Sequence, residues 1–273
     1  MLDLGTTHIL IFVAIGTTIG FINTLAGGGM LIAMPILLSL GLPTHVANAT
    51  LRLSILLQTV GSVFSFYSIG YYRSILPIKT ILPNLLPLVC GAMVGSFYST
   101  QIDPEHFKLI IAAVMILLAI ASIFRTEKRI TSPKTDPHIQ LNDYVHTGHP
   151  PASPKPSSSY VFLLLIGLYA GLIQGGVGFV LILFCMSQLK LDAVSANAFK
   201  VISVLCYSLF CLPIFLRSGL VRVDIAIIIG LSTFIGSWTS VRLQTRLPAI
   251  VLRRLILAII AISGCIMLCR TLR

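Results

Sequence analysis

Two positive charges stand deep in apolar sequence, where a membrane-spanning stretch normally carries none. Arg52 lies roughly two turns inside one long apolar segment, and Lys200 sits one residue before the position that an internal repeat makes equivalent to Arg52. Placing such a side chain at the centre of a membrane helix costs on the order of 2.5 to 3.5 kcal/mol on insertion scales, so each should face a partner or a wet cavity. No carboxylate is positioned to serve, because Asp103, Glu105, Asp192 and Asp224 all fall at or near segment ends. Two cations in an interior without carboxylates point to an anionic ligand. The competing reading sends both long stems to the nearer membrane surface, where their heads stay hydrated.

Asn48 and Asn197 precede Arg52 and Lys200 by four and three residues, and so share a helical face with them. Their amides can donate to an oxyanion, or they can act only as helix caps, since both stand near a helix start. Each is preceded by a glycine run: Gly27-Gly28-Gly29 in one half, Gly175-Gly176-Val177-Gly178 in the other. Glycine tolerates positive φ and leaves backbone N–H groups uncovered, and a short helix starting there aims its positive end at whatever lies in the break. Arg52, Lys200, Asn48, Asn197, Gly27, Gly28, Gly29, Gly175, Gly176 and Gly178 are therefore the candidate substrate-binding residues. Gln58, Gln174, Ser54 and Ser203 are second-rank lining candidates, because a single buried amide or hydroxyl more often bonds a neighbouring helix.

Other chemistry lacks its residues. An intramembrane enzyme needs a nucleophile with a base, a metal site or paired carboxylates, and no catalytic set of this kind is expected. The six cysteines lie in apolar segments with no C-x-x-C pair, and read as small packing residues. His138, His146 and His149 have no Cys or carboxylate at ligand spacing, so no metal and no cofactor is expected.

The elements that must position these residues are membrane helices. Of 273 residues 56% are hydrophobic and 10% charged, less than half the charge of an ordinary soluble domain, which excludes a soluble enzyme and a disulfide scaffold. Apolar windows predict full helices near 8–26, 46–70, 78–100, 104–124, 160–175, 194–217, 222–242 and 248–270. Two shorter runs, 29–41 and 178–190, reach only about 20 Å against a hydrocarbon core of about 30 Å, and read as half-helices. The block from Ile9 lacks a basic leader and a cleavage site, so it reads as a mature helix rather than a signal peptide. Residues 125–159, rich in Pro, Ser and charge, form a polar linker without a core of its own.

Sliding the chain by 149 residues places Gly27 on Gly176, Gly29 on Gly178, Ala47-Asn48-Ala49 on Ala196-Asn197-Ala198, Gly70 on Gly219 and Arg73 on Arg222 without a gap. A Gly-x-Gly, an Ala-Asn-Ala and a Gly-x-x-Arg do not coincide at one offset by apolar bias, so the chain reads as two transmembrane repeats, 7–124 and 160–270. Five segments per half invert the second against the first. Alternate loops then hold 12 of the 19 Lys and Arg on the linker's side and five on the other, the remaining two being Arg52 and Lys200. By that bias the linker is cytoplasmic, both termini are outside, and the net charge of +11 reflects membrane topology rather than a nucleic-acid partner. The expected fold is an all-α polytopic bundle of about eight full helices and two half-helices in a lipid bilayer.

The pattern GFINTLAGGGMLIAMPILLSLGLPTHVANAT and its counterpart GLYAGLIQGGVGFVLILFCMSQLKLDAVSANAFK, followed by FLRSGLV and IGSW, resemble the TauE/SafE type of sulfite exporter permease over nearly the whole chain outside the linker. Ala196 to Lys200 is the most specific piece. Family members often continue the first repeat as Ala-x-Gly-Thr-Ser, whereas this chain reads Ala47-Asn48-Ala49-Thr50-Leu51-Arg52, adding a cation. The resemblance implies export of sulfite, organosulfonates or related sulfur oxyanions across the cell's plasma or inner membrane, with a homo-oligomer possible. From the residues alone, another small anion or a carboxylate stays open as substrate, and an intramembrane enzyme is the disfavoured alternative.

Overall fold

Proline and aspartate open the two longest helices. Pro43 precedes Thr44–Ser68, and Asp192 caps Ala193–Arg217 by accepting from the amides of Val194 at 2.9 Å and Ser195 at 3.2 Å. Each runs 25 residues and is followed by a glycine in the left-handed region, Gly70 at φ 75° and Gly219 at φ 70°, where the chain turns back. Both ends of one helix lie 149 residues from the matching ends of the other.

The computed structural model describes residues 6–27, 29–76, 78–103, 106, 158–189 and 191–246. In chain order its helices are α1 Thr6–Ala26, α2 Gly29–Ser39, α3 Thr44–Ser68, α4 Tyr71–Ser74, α5 Ile78–Ser99, α6 Ser158–Leu172, α7 Val177–Ser187, α8 Ala193–Arg217 and α9 Val223–Gln244. No strand occurs among the described residues, and four helices (α3, most of α5, α8 and α9) are long and apolar enough to cross a membrane. The helices expected near 104–124 and 248–270, and almost all of linker 125–159, lie outside the described residues. The helix expected over 160–175 ends at Leu172, because Gln174 leaves helical geometry and Gly176 turns left-handed at φ 77°. The half-helices are real and shorter than expected, 11 residues each, or about 16 Å.

Each half lends its last described helix to the other. In one group α1 and α3 pack with α9, and α2 lies against α1 and α3; in the second, α6 and α8 pack with α5, and α7 lies against α6 and α8. Side chains at the helix ends fix the direction of the central pair. Tyr71 Oη lies 2.9 Å from Ser195 Oγ and Tyr72 Oη donates to the carbonyl of Ala198 at 2.9 Å, while at the opposite end the Arg222 amide donates to Thr50 Oγ1 at 3.1 Å. The end of α3 thus meets the start of α8 and the reverse, so the two helices run antiparallel. The single-turn α4, which hydropathy does not predict, exists to deliver these tyrosines; Phe66 tilts against both rings at 5.2 and 5.8 Å.

Small residues close the crossings. On α5 and α6, Gly91 and Gly95 face Gly167 and Gly171, and a Cβ at any of the four would come within about 2.2 Å of a facing carbonyl oxygen. The α1–α9 seam repeats this with Gly16, Gly20 and Gly236, so glycines four residues apart on α1, α5 and α6 serve close packing. Hydroxyls seal α9 to its neighbours: Ser54 donates to Ala226 O, Ser65 to Trp238 O, Ser237 to Gln58 O and Ser240 to Phe21 O, each bond worth about 0.6 kcal/mol in a membrane setting. Outward faces are apolar instead, with Leu82, Leu86, Phe97, Phe162, Leu165, Phe210 and Leu231 exposed. This inside-out distribution is what a lipid solvent demands. Cys90 corrects the expectation of buried cysteines: it is exposed on the same α5 face as Leu86 and Phe97, while Cys185 and Cys211 are buried.

Candidate functional site

The interruption after α1 is built by Gly27, at φ 78°, and held by Asn23. The Asn23 carbonyl accepts from the Gly27 amide at 2.8 Å, and its side-chain Oδ1 accepts from the Gly29 amide at 3.1 Å, so one residue closes α1 and anchors the start of α2. After α6 the same left-handed turn falls on Gly176, and the Tyr169 hydroxyl donates to the Gly175 carbonyl. The two breaks touch. A Cβ on Gly27 would lie 2.4 Å from the carbonyl carbon of Gly178, and one on Gly178 would lie 2.8 Å from Gly27 Cα and 3.1 Å from Lys200 Cδ. Only glycine at these places lets the breaks approach so closely.

Both interior cations are buried, 1% exposed for Arg52 and 4% for Lys200, so neither stem reaches for a surface. Each crosses to the interrupted helix of the other half. Arg52, on α3, donates through Nη1 to Ala170 O at 2.6 Å and Gln174 Oε1 at 2.7 Å, and through Nη2 to Gly171 O at 2.6 Å. Its guanidinium also stacks 4.6 Å from the centroid of Phe215. Lys200, on α8, donates through Nζ to Asn23 O at 3.1 Å and Thr24 O at 2.7 Å. The carbonyls belong to the last turns of α6 and α1, where the helix dipole is negative; that of Asn23 holds the Gly27 amide as well as the ammonium. The cations satisfy the broken ends.

Matching faces of α3 and α8 enclose a narrow cavity, with room for about one water molecule, beside the touching glycines. From α3 come Ile55, Gln58, Thr59 and Ser62, at i, i+3, i+4 and i+7; from α8 come Lys200, Val204 and Tyr207, at i, i+4 and i+7, with Val201 beside them; Asn23, Thr24, Gly27, Gln174, Val177 and Gly178 complete it. Its polar groups are amides, hydroxyls and one ammonium. Among the described residues no carboxylate is buried, Asp103 and Asp224 being exposed and Asp192 only partly covered.

Of the residues expected from sequence, the cavity gathers Lys200, Gly27, Gly178, Gln58 and Gln174. Arg52 stands behind Gln174 rather than on the wall. Asn48 donates to Leu172 O at 3.4 Å and lies 3.5 Å from Ser99 Oγ, and Asn197 donates to Gln244 Oε1 at 2.6 Å. Neither is a helix cap, since those positions fall to Pro43 and Asp192, and neither lines the cavity. Ser54 bonds α9, Ser203 is buried with no hydrogen-bond partner among the described residues, and Gly29, Gly175 and Gly176 shape the breaks from outside the cavity wall. Gly28 lies outside the described residues. Sequence reasoning missed Asn23 and Tyr207. The first signal was an amide one turn before a glycine run; the second was an aromatic hydroxyl 149 residues after Gln58.

The family described as sulfite exporter TauE/SafE matches residues 12–267. A probable membrane transporter protein, ORF9, of Sinorhizobium sp is 25% identical over 231 residues, covering 84% of this chain and 81% of the relative. A probable membrane transporter protein of Haemophilus influenzae is 24% identical over 241 residues, covering 86% and 85%. No solved structure matches the chain.

Proposed function

This chain belongs to the sulfite exporter TauE/SafE family, and from that premise we propose that it is a transporter that moves small sulfur oxyanions, sulfite or organosulfonates, outward across the cell's plasma or inner membrane. The substrate binds between the halves, in the cavity beside Lys200. The linker faces the cytoplasm. The antiparallel course of α3 and α8, helices of equal length at one register, supports halves of opposite orientation.

The observation that carries the reading is a wall rich in donors and, among the described residues, free of carboxylate. Lys200 has three ammonium hydrogens and uses two on carbonyls; Gln58 and Gln174 each have two amide hydrogens and use one, on Thr24 Oγ1 and Tyr207 Oη. The spare hydrogens call for an acceptor, and an oxyanion supplies several. Charge points the same way. Two cations against two helix C-termini of roughly −0.5 each leave an excess of about one positive charge, to which the N-termini of α2 and α7 add. The cavity is too small for a sulfonate group, so loading requires the walls to part, as alternating access across two facing units does.

Flux into liposomes holding the purified protein tests the proposal, with sulfite, an alkyl sulfonate, sulfate, acetate, chloride and potassium compared. Saturable sulfite or sulfonate flux at least tenfold above acetate is expected. It should be lost in Lys200→Met and retained in Arg73→Gln, an exposed cation at the end of α4. Equal acetate flux would favour a general carboxylate carrier, and selective potassium flux would refute the anion reading.

A further inference from the structure

We propose that Tyr207 selects the substrate, as a hydroxyl donor aimed into the cavity by Arg52 acting through Gln174; the assignment rests on the oxyanion reading of that cavity. Bonding rules force the direction of the chain. A guanidinium can only donate, so the Gln174 atom 2.7 Å from Arg52 Nη1 must be the carbonyl oxygen, and the amide nitrogen must point the other way. That nitrogen lies 3.0 Å from Tyr207 Oη and donates to it. With one side of the phenolic oxygen occupied by a donor, its own hydrogen turns to the opposite side. Tyr207 is wholly buried, lines the cavity with Lys200, and finds no acceptor for that hydrogen among the described residues. Leaving a buried hydroxyl hydrogen unbonded is unfavourable, and a ligand oxygen in the cavity corrects it.

The other half arrives at the same result by different residues. Gln58 is the repeat equivalent of Tyr207, 149 residues earlier, and lines the cavity from the opposite helix. Asn23 Oδ1 accepts from the Gly29 amide, so Asn23 Nδ2 donates to Gln58 Oε1 at 3.1 Å, and the Gln58 amide nitrogen is left as a donor. Position 58 and position 207 are thus each turned into donors by a chain that starts at a group unable to accept. Together with the third hydrogen of Lys200 and the spare amide hydrogen of Gln174 they line the cavity with donors only, which suits the three acceptor oxygens of a fully ionised sulfonate or sulfite. An acid carrying its own hydroxyl proton meets donor against donor. The selectivity assigned here is therefore for the ionised XSO3 group. Arg52 is a positioning residue in this scheme and makes no contact with the ligand.

The test is equilibrium binding of sodium sulfite and of methanesulfonate to the full-length protein in detergent, in a double-mutant cycle. Tyr207→Phe removes one oxygen and keeps the ring, and should weaken both anions at least tenfold. In the Gln174→Leu background the hydroxyl is no longer aimed, and the same Phe substitution should cost no more than about threefold. Chloride, with no oxygen pattern to match, should change by less than twofold in Tyr207→Phe. Wild-type binding of sulfite with an unchanged affinity in Tyr207→Phe overturns the assignment and leaves the transported class standing. Equal losses from Tyr207→Phe in both backgrounds overturn the aiming role of Arg52 and Gln174. If wild-type protein binds neither sulfite nor methanesulfonate, the oxyanion reading falls and this assignment with it.

Discussion

Gly27, Gly70 and Gly219 share a left-handed backbone yet differ in what surrounds them, which allows the contact between the two breaks to be measured. Gly27, Gly70 and Gly219 have φ of 78°, 75° and 70°, so alanine at each bears a similar backbone penalty of about 1 to 2 kcal/mol. At Gly70 and Gly219 nothing lies within 4 Å of the added Cβ, and the backbone term is the whole effect. At Gly27 the methyl would sit 2.4 Å from both Gly178 C and Phe179 N, which are backbone atoms that cannot rotate away. Overpacking of this kind costs typically about 1 to 3 kcal/mol more. Gly27→Ala should therefore destabilise by about 2 to 5 kcal/mol, against about 1 to 2 for Gly70→Ala and Gly219→Ala. Reversible unfolding in mixed micelles, followed by tryptophan fluorescence of the single Trp238, reads the difference. A fourth glycine, Gly178, has ordinary φ, and its alanine methyl would press on Gly27 Cα at 2.8 Å and Lys200 Cδ at 3.1 Å. Its variant should lose flux by a larger factor than its stability loss explains. If Gly27→Ala falls within about 0.5 kcal/mol of Gly219→Ala, the breaks do not meet and the site's geometry is refuted.

Gly95→Val puts a branched side chain 2.2 Å from the Leu168 carbonyl at the α5–α6 seam, and should abolish accumulation of folded protein in the membrane, as judged by gel filtration in detergent; normal yield and elution would contradict the close crossing. Because no described carboxylate is buried to hold a coupling cation, flux should follow membrane potential alone, at about 2.3 kcal/mol per charge per 100 mV. A potassium diffusion potential across proteoliposomes with equal pH and sodium on both sides should drive it, and flux that needs a proton or sodium gradient would disprove uncoupled movement.

Much of the scaffold was legible because its signals are local. Helix lengths follow from apolar runs, and α3 and α8 appeared within two residues of their ends from hydropathy bounded by Pro43, Asp192, Gly70 and Gly219. The glycine runs announced two breaks, since few other residues adopt that backbone, and two cations without carboxylates announced an interior of positive charge. The α6 end was misplaced because Ile173 and Gln174 are apolar or helix-compatible and only the turn at Gly176 stops them.

What lay beyond the sequence was where each side chain goes once helices cross. Arg52 and Lys200 occupy nearly equivalent positions, yet Lys200 lines the cavity and Arg52 stands behind Gln174, because the stop at Leu172 brings the Gln174 amide between Arg52 and Tyr207. Asn48 and Asn197 share a helical face with the cations and still bond elsewhere, at α6 and α9 ends that no spacing could indicate. The exchange of α5 and α9 between halves is likewise a matter of packing partners. Periodicity along a chain determines which residues a helix presents on one face. The partner that face meets, and which atom of an amide points at it, depend on through-space contacts between segments more than a hundred residues apart, and only the tertiary structure decides them.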